Sequence, residues 1–298
     1  MTPFSLLHTL PAIAFAVSFP LSPAAFSMDS TAVPSWSFVP DGGPMLQLHQ
    51  NPEEPRTGIR KEIGSSRMRL DVGTNFEVVG FSASSADHFR LGLQIFAYAL
   101  TVNNQGLRLQ IDALDGFFGG HITWRRTMGS IAVLGRLRIL HHSAHFVDGH
   151  IDASTGTWID GRAPVPYTKD FGELLGGIDT VFPLGHIRIY GGASYATLVR
   201  PTDIGRVGGM VGIDYRTDNS TFSALGHPFL LYAGYQLNLT EISSILGTNA
   251  VEAGIKFGAW EATGVRIFTS YHAGPEVFGQ YYNVKRTYWE IGFALDLL

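Results

Sequence analysis

From about Gly58 onward, apolar side chains recur at every second position in segment after segment, and the i, i+3, i+4 repeat of an amphipathic helix is nearly absent. Between His88 and Leu100, Phe89, Leu91, Leu93, Ile95, Ala97 and Ala99 alternate with Arg90, Gly92, Gln94, Phe96 and Tyr98. Ser130 to Ser143 repeats the pattern, with Ile131, Val133, Leu137 and Ile139 on one face and Arg136 and Arg138 on the other. Twelve such segments follow one another, near 57–65, 68–82, 88–100, 107–125, 130–143, 169–181, 186–198, 206–216, 228–238, 249–260, 264–273 and 286–297. After residue 30 no apolar run reaches the roughly 18 residues of a membrane-spanning helix, so a chain of this kind crosses a bilayer only with strands.

Two all-β architectures fit: a soluble sandwich or barrel with its apolar faces inward, and a membrane barrel with those faces outward. Composition favours the second. Charged residues make up 15% and hydrophobic ones 45%, with 35 glycines in 298 residues and a mean hydropathy of +0.11. The polar faces carry Arg90, Arg136, Arg138, Arg188, Asp214, Arg216, Glu252, Lys256 and Arg266, the mixed-sign set of a barrel lumen. Connection lengths agree, because 144–167 is long while those near Met128, Leu184 and Ala262 are tight, and an outer-membrane barrel alternates long outer loops with short periplasmic turns. The expected fold is all-β, a single antiparallel transmembrane β-barrel of about twelve strands, ten to fourteen with boundary error, in a bacterial outer membrane. Trp124, Tyr195, Tyr232, Tyr235, Tyr271, Tyr288 and Trp289, near strand ends, are candidates for interfacial girdles.

The N-terminal stretch 1–27 reads as a signal peptide, with an apolar run around Leu10–Leu21 followed by Ala25-Phe26-Ser27. Residues 28–55, rich in Pro, Ser and Gly, read as an irregular lead-in on the periplasmic side, and 56–298 as the barrel. A net charge of −4 with no Lys/Arg run argues against nucleic acid as a partner. The expected partners are outer-membrane lipids and the barrel assembly machinery. Zero Cys excludes thiol catalysis and disulfide scaffolds.

Reactive side chains are densest in Leu140-His141-His142-Ser143-Ala144-His145, followed by Asp148, His150 and Asp152. Alternation puts His141 and Ser143 on the face of Leu137 and Ile139, toward lipid, and sends His142 to the lumen with Arg136 and Arg138. A His and a Ser two apart on one strand face suit an imidazole that takes a hydroxyl proton, as acyl transfer requires, provided that a carboxylate orients the ring. Asp170, on the next strand beyond the long loop, is the first candidate, with Asp112 and Asp115 on the preceding strand as alternatives. The triple alone is weak support, since 11 His and 21 Ser in 298 residues produce about one His-x-Ser by chance. The same histidines with Asp148 and Asp152 suggest a metal, but adjacent His141 and His142 point to opposite faces, so no metal and no cofactor is assigned. No residue pattern in the chain assigns a calcium ion to an acyl-transfer site.

Several stretches resemble a family of bacterial outer-membrane-like barrels, domain-of-unknown-function family 1207: His121–Arg126, Arg136–Asp148, Val165–Asp170, Ile189–Gly192 and Tyr271–Asp296. The resemblance covers most of 57–298 and implies a barrel without specifying an activity. A looser similarity, confined to one strand, links His141-x-Ser143 to outer-membrane phospholipase A and lipid A deacylase. It implies a lipid acyl-ester hydrolase with Ser143 as nucleophile and His141 as base. The alternative is a non-catalytic barrel, a narrow pore or a structural envelope protein whose lumenal charges pair across the bore.

Overall fold

The computed structural model describes residues 33–40, 45–104, 108–152, 154–218, 222–224 and 227–297. The expected leader, 1–27, lies outside them. In chain order the strands are β1 (Ser35–Phe38), β2 (Thr57–Glu62), β3 (Arg67–Ser82), β4 (Asp87–Asn104), β5 (Arg108–Met128), β6 (Ile131–Phe146), β7 (Ile151–Asp152), β8 (Thr157–Trp158), β9 (Tyr167–Phe182), β10 (Gly185–Arg200), β11 (Ile204–Arg216), β12 (Phe222–Ala224), β13 (His227–Ile242), β14 (Ser244–Phe257), β15 (Gly264–Pro275) and β16 (Lys285–Asp296).

Twelve of them close a ring of antiparallel neighbours, β2-β3-β4-β5-β6-β9-β10-β11-β13-β14-β15-β16, and β16 returns to β2 through pairs such as Phe293 with Ile59. Closure removes the sheet edges that a bilayer would leave without hydrogen-bond partners. The remaining short strands are accessories. β7 and β8 form a ribbon within the long 147–166 connection, and β12 pairs with the start of β13, which accounts for the length of the 216–227 link. β2 is short and pairs only Met68–Asp71 of β3, while β1 takes the far end of the same edge, Val79–Ser82, with Trp36 against Phe81.

The alternation is inside-out relative to a soluble protein. Ile95, Ile139 and Leu174 are more than 60% exposed, whereas Arg136, Arg138, Arg266 and Lys256 on the opposite faces are 1% exposed or less. That is the arrangement of a barrel that crosses a bilayer, and it removes the soluble reading. On β6 the apolar outward positions run from Ile131 to Ile139. Eight residues at about 3.3 Å per residue, tilted by about 40°, cover roughly 20 Å of membrane, close to the usual apolar band. Of the proposed girdle, Tyr195, Tyr235 and Trp289 face outward. Tyr232 and Tyr288 do not: Tyr232 is buried in the bore and bonds Glu252, and Tyr288 stacks on the buried His272.

The bore is filled. Residues 45–55, expected as part of an irregular lead-in on the periplasmic side, lie within it together with Arg56, with Leu46 and Leu48 fully buried against Leu134, Leu175 and Tyr190. An irregular backbone at membrane depth needs partners, and arginines of the wall supply them. Arg136 Nη1 donates to Leu46 O (2.6 Å), Arg138 Nη1 to Glu53 O (2.8 Å) and Arg69 Nη2 to Pro52 O (3.0 Å). Glu54 pairs with Arg136, Arg56 with Glu252, and Gln50 with Tyr190 and Asp214. The mixed charges read from the strands therefore pair with one another and with this plug. Above the plug tip a chamber of about 130 Å³ remains, bounded by His142, Tyr167, Glu173 and His272 and roofed by the segment around Gly279–Tyr282.

Candidate functional site

β5, β6, β9 and β10 are consecutive in the wall and form the surface on which the reactive residues sit. Their outward rows follow from the register. Phe118, His141, Asp170 and Leu198 are successive cross-strand partners, and Gly116, Ser143, Thr168 and Arg200 make the next row toward the end that carries the long loop. On the other side of the His141 row lies Gly120, Ile139, Gly172, followed by Ile122, Leu137, Leu174 and Ala193. The His141 row thus occupies the border where the apolar belt ends.

His141 Nδ1 is 2.6 Å from Asp170 Oδ1, with the imidazole and carboxylate partly exposed, and the ring packs at 4.7 Å from that of Phe118. A proton on Nδ1 donated to the carboxylate leaves Nε2 as the free lone pair, directed away from Asp170. Ser143 follows on the same face, two residues along, about 6.6 Å between Cα atoms. No hydrogen bond joins the Ser143 hydroxyl to the His141 ring among the described residues. The structure therefore brings His141 and Asp170 into contact and puts Ser143 beside them on one face.

The alternative orienting acids are engaged elsewhere. Asp115 is fully buried inside the barrel and bonds His142 Nε2 (2.7 Å) and the Gly279 amide (2.8 Å). Asp112 bonds His150 Nδ1 (2.7 Å) and receives the Tyr281 hydroxyl (2.5 Å), which anchors the loop end of the barrel. Burial and that hydrogen bond raise the Tyr281 pKa, so the phenol stays a donor. A β-bulge explains why both acids are inside: the register shifts between Leu100 and Thr101, leaving Asp112 as the extra residue on β5. The histidines considered for a metal are likewise dispersed, His141 outside, His142 inside and His150 stacked on Phe146 at 3.6 Å.

Below the dyad the outward surface is hollowed by glycine. A β-carbon at Gly172 would find no atom nearer than Arg138 O at 3.9 Å, and one at Gly176 none within 4 Å. Ile139, Leu174 and Tyr195 flank these positions and are exposed.

No family model matches the chain, and no curated protein matches it. Among solved structures, the β-domain of the Bordetella autotransporter BrkA is similar over 81% of this chain and 99% of that one, at 14% identity and a TM-score of 0.42. The translocator domain of autotransporter NalP from Neisseria meningitidis is similar over 80% of this chain and 84% of that one, at 10% identity and a TM-score of 0.36.

Proposed function

We propose that this chain is a bacterial outer-membrane barrel with a closed bore that hydrolyses lipid acyl esters on its lipid-facing surface, with Ser143 as nucleophile, His141 as general base and Asp170 orienting the imidazole. The observation that carries it is the His141–Asp170 hydrogen bond on the outside of the wall. Charge on a lipid face costs about 2–4 kcal/mol at the midplane and falls to about 0–1 near the interface. At the edge of the apolar belt the pair is therefore held at little cost, and an ester carbonyl of a bilayer lipid lies at that depth. The local resemblance to outer-membrane phospholipase A and lipid A deacylase points the same way.

The chemistry follows from the arrangement. His141 Nε2 accepts the Ser143 proton as Oγ attacks the ester carbonyl, and the same proton passes to the departing alcohol oxygen as the ester C–O bond breaks. Water then attacks the acyl-serine as His141 takes one of its protons, and that proton passes to Ser143 Oγ as the acyl C–O bond breaks, releasing the fatty acid and the free serine hydroxyl. Asp170 holds the tautomer and stabilises the imidazolium. The acyl chain lies along the glycine hollow between Ile139 and Leu174, toward the bilayer centre.

Two measurements test this. The chain refolded in neutral detergent, its folding verified by a heat-dependent gel shift, is expected to release fatty acid from mixed phospholipid and lipid A micelles, assayed with and without calcium. Ser143→Ala and His141→Ala are each expected to abolish release. A folded barrel that releases none, or variants that release as much as the parent, would overturn the proposal. Gly172→Leu probes the hollow separately. Its β-carbon has room, so the gel shift is unchanged, while hydrolysis of long-chain esters falls about tenfold and that of short-chain esters stays near the parent's. Equal rates on both chain lengths would remove the acyl chain from that surface.

A further inference from the structure

Most arginines in the wall are matched: Arg136 and Arg138 with Glu54 and Glu173, Arg188 and Arg216 with Asp179, Arg266 with Glu252 and Asp296. Arg200 is different. It ends β10, is exposed, and hydrogen bonds the carbonyl of its own neighbour Val199 at 2.9 Å. Among the described residues no carboxylate lies within ion-pairing distance of it. Its position is fixed by the ladder, since Thr168 is the cross-strand partner of both Ser143 and Arg200. With about 4.8 Å between neighbouring strands, the Arg200 Cα is roughly 10 Å from that of Ser143 on the same outward face. An extended arginine side chain covers most of that distance. The Thr168 hydroxyl, between them, makes no hydrogen bond within the described residues. On β10 the outward positions before Arg200 are Leu198, Tyr195 and Ala193, so Arg200 is the first charge past the apolar belt on that strand.

We infer that Arg200 is a positioning residue that seats the headgroup phosphate of a membrane lipid whose acyl ester lies at Ser143. This rests on the hydrolase reading for the role of Ser143 and deepens it by naming the substrate class, a phosphorylated lipid. A guanidinium offers two parallel N–H donors to two phosphate oxygens, a short charge-assisted pair that an ammonium or a neutral amide does not reproduce. The lipid's geometry matches the rows. Its chain occupies the glycine hollow beside Gly172, its ester lies at the Ser143 row, and its phosphate, a few bonds further along the glycerol or sugar, extends sideways past Thr168 to Arg200. The source of the phosphate is a lipid because Arg200 stands on the bilayer-facing side of the wall, at headgroup depth.

The test separates binding from turnover. The Ser143→Ala chain, refolded in neutral detergent, is titrated with dioleoyl phosphatidic acid and with dioleoylglycerol, which differ only in the phosphate. Adding Arg200→Gln is expected to weaken phosphatidic acid binding about tenfold or more and leave dioleoylglycerol unchanged, with Arg200→Lys recovering part of the loss. Millimolar inorganic phosphate is expected not to displace the lipid. In the turnover arm, Arg200→Gln in the otherwise unchanged chain raises KM for phospholipid with kcat near the parent's. Phosphatidic acid binding unaffected by Arg200→Gln, equal loss for both lipids, or displacement by free phosphate would each overturn the inference. Binding that depends on Arg200 in a barrel that releases no fatty acid would sink the hydrolase and keep the lipid seat. Hydrolysis with an unchanged KM in Arg200→Gln would keep the hydrolase and sink the seat.

Discussion

Asp170→Asn is expected to lower kcat for lipid ester hydrolysis by about 10³–10⁴ with KM little changed, the size of loss that an amide at the orienting position produces in serine hydrolases. The cause is the tautomer. In the proposed mechanism Asp170, 2.6 Å from His141 Nδ1, accepts the proton on that nitrogen and leaves Nε2 free to act as a base. An Asn side chain can turn its N–H toward Nδ1, which puts the ring proton on Nε2, where it blocks transfer from Ser143. The fold is not at risk, because Asp170 is 43% exposed and its backbone pairing with His141 and Leu198 stays as it is. Asp112→Asn is the matched control. It removes a buried carboxylate bonded to His150 and Tyr281 and loosens the loop end of the barrel, yet should leave kcat within about twofold, since no atom of it reaches the outward face. Steady-state fatty-acid release from the two folded variants decides the matter. Equal losses in both would undo the assignment of Asp170.

The strands and their parity were legible because lipid and lumen impose one rule on every second residue, and a one-residue slip would have turned whole faces over. Alternation through Leu137 and Ile139 correctly sends His141 and Ser143 outward and His142 inward, beside Arg136 and Arg138. What alternation cannot carry is whatever breaks it. The bulge at Asp112 adds one residue to β5 and turns an acid of apparently outward parity into the bore. Tyr232 and Tyr288 look like interfacial aromatics by composition, and only the pleat reveals that they face Glu252 and His272. The plug left even less trace. Residues 45–56 have no period, and their partners are far away in sequence, 82 residues for Glu54 with Arg136 and 196 for Arg56 with Glu252. A usable signal existed in the lumenal charges: a wall with so many arginines needed acceptors, and an adjacent segment with two glutamates and free carbonyls is one place to seek them.

That dependence sets the second large effect, expected in Arg136→Ala/Arg138→Ala. Both guanidiniums are fully buried, and together they hold Glu54, Glu173 and the carbonyls of Leu46 and Glu53. Removing them strips two buried carboxylates of their charge partners and two plug carbonyls of their donors. Breaking a buried ion pair from one side costs about 3–5 kcal/mol, because the remaining charge has neither partner nor water. A lumen can escape that penalty by a route closed to a solid core: the plug withdraws and water enters from the end where β2 begins and β16 ends. The wall itself persists, since its backbone ladder around the ring does not involve the plug. In planar bilayers the parent chain is therefore expected to be electrically silent, and the double variant to show steady conductance while keeping its heat-dependent gel shift. Protease added on the side of that end should cut the 45–56 segment in the variant and spare it in the parent. Steady conductance in the parent would mean that the plug does not seal the bore. A variant as silent and as protected as the parent would mean that Leu46, Leu48 and the Gln50 contacts to Tyr190 and Asp214 hold the plug without the arginine network.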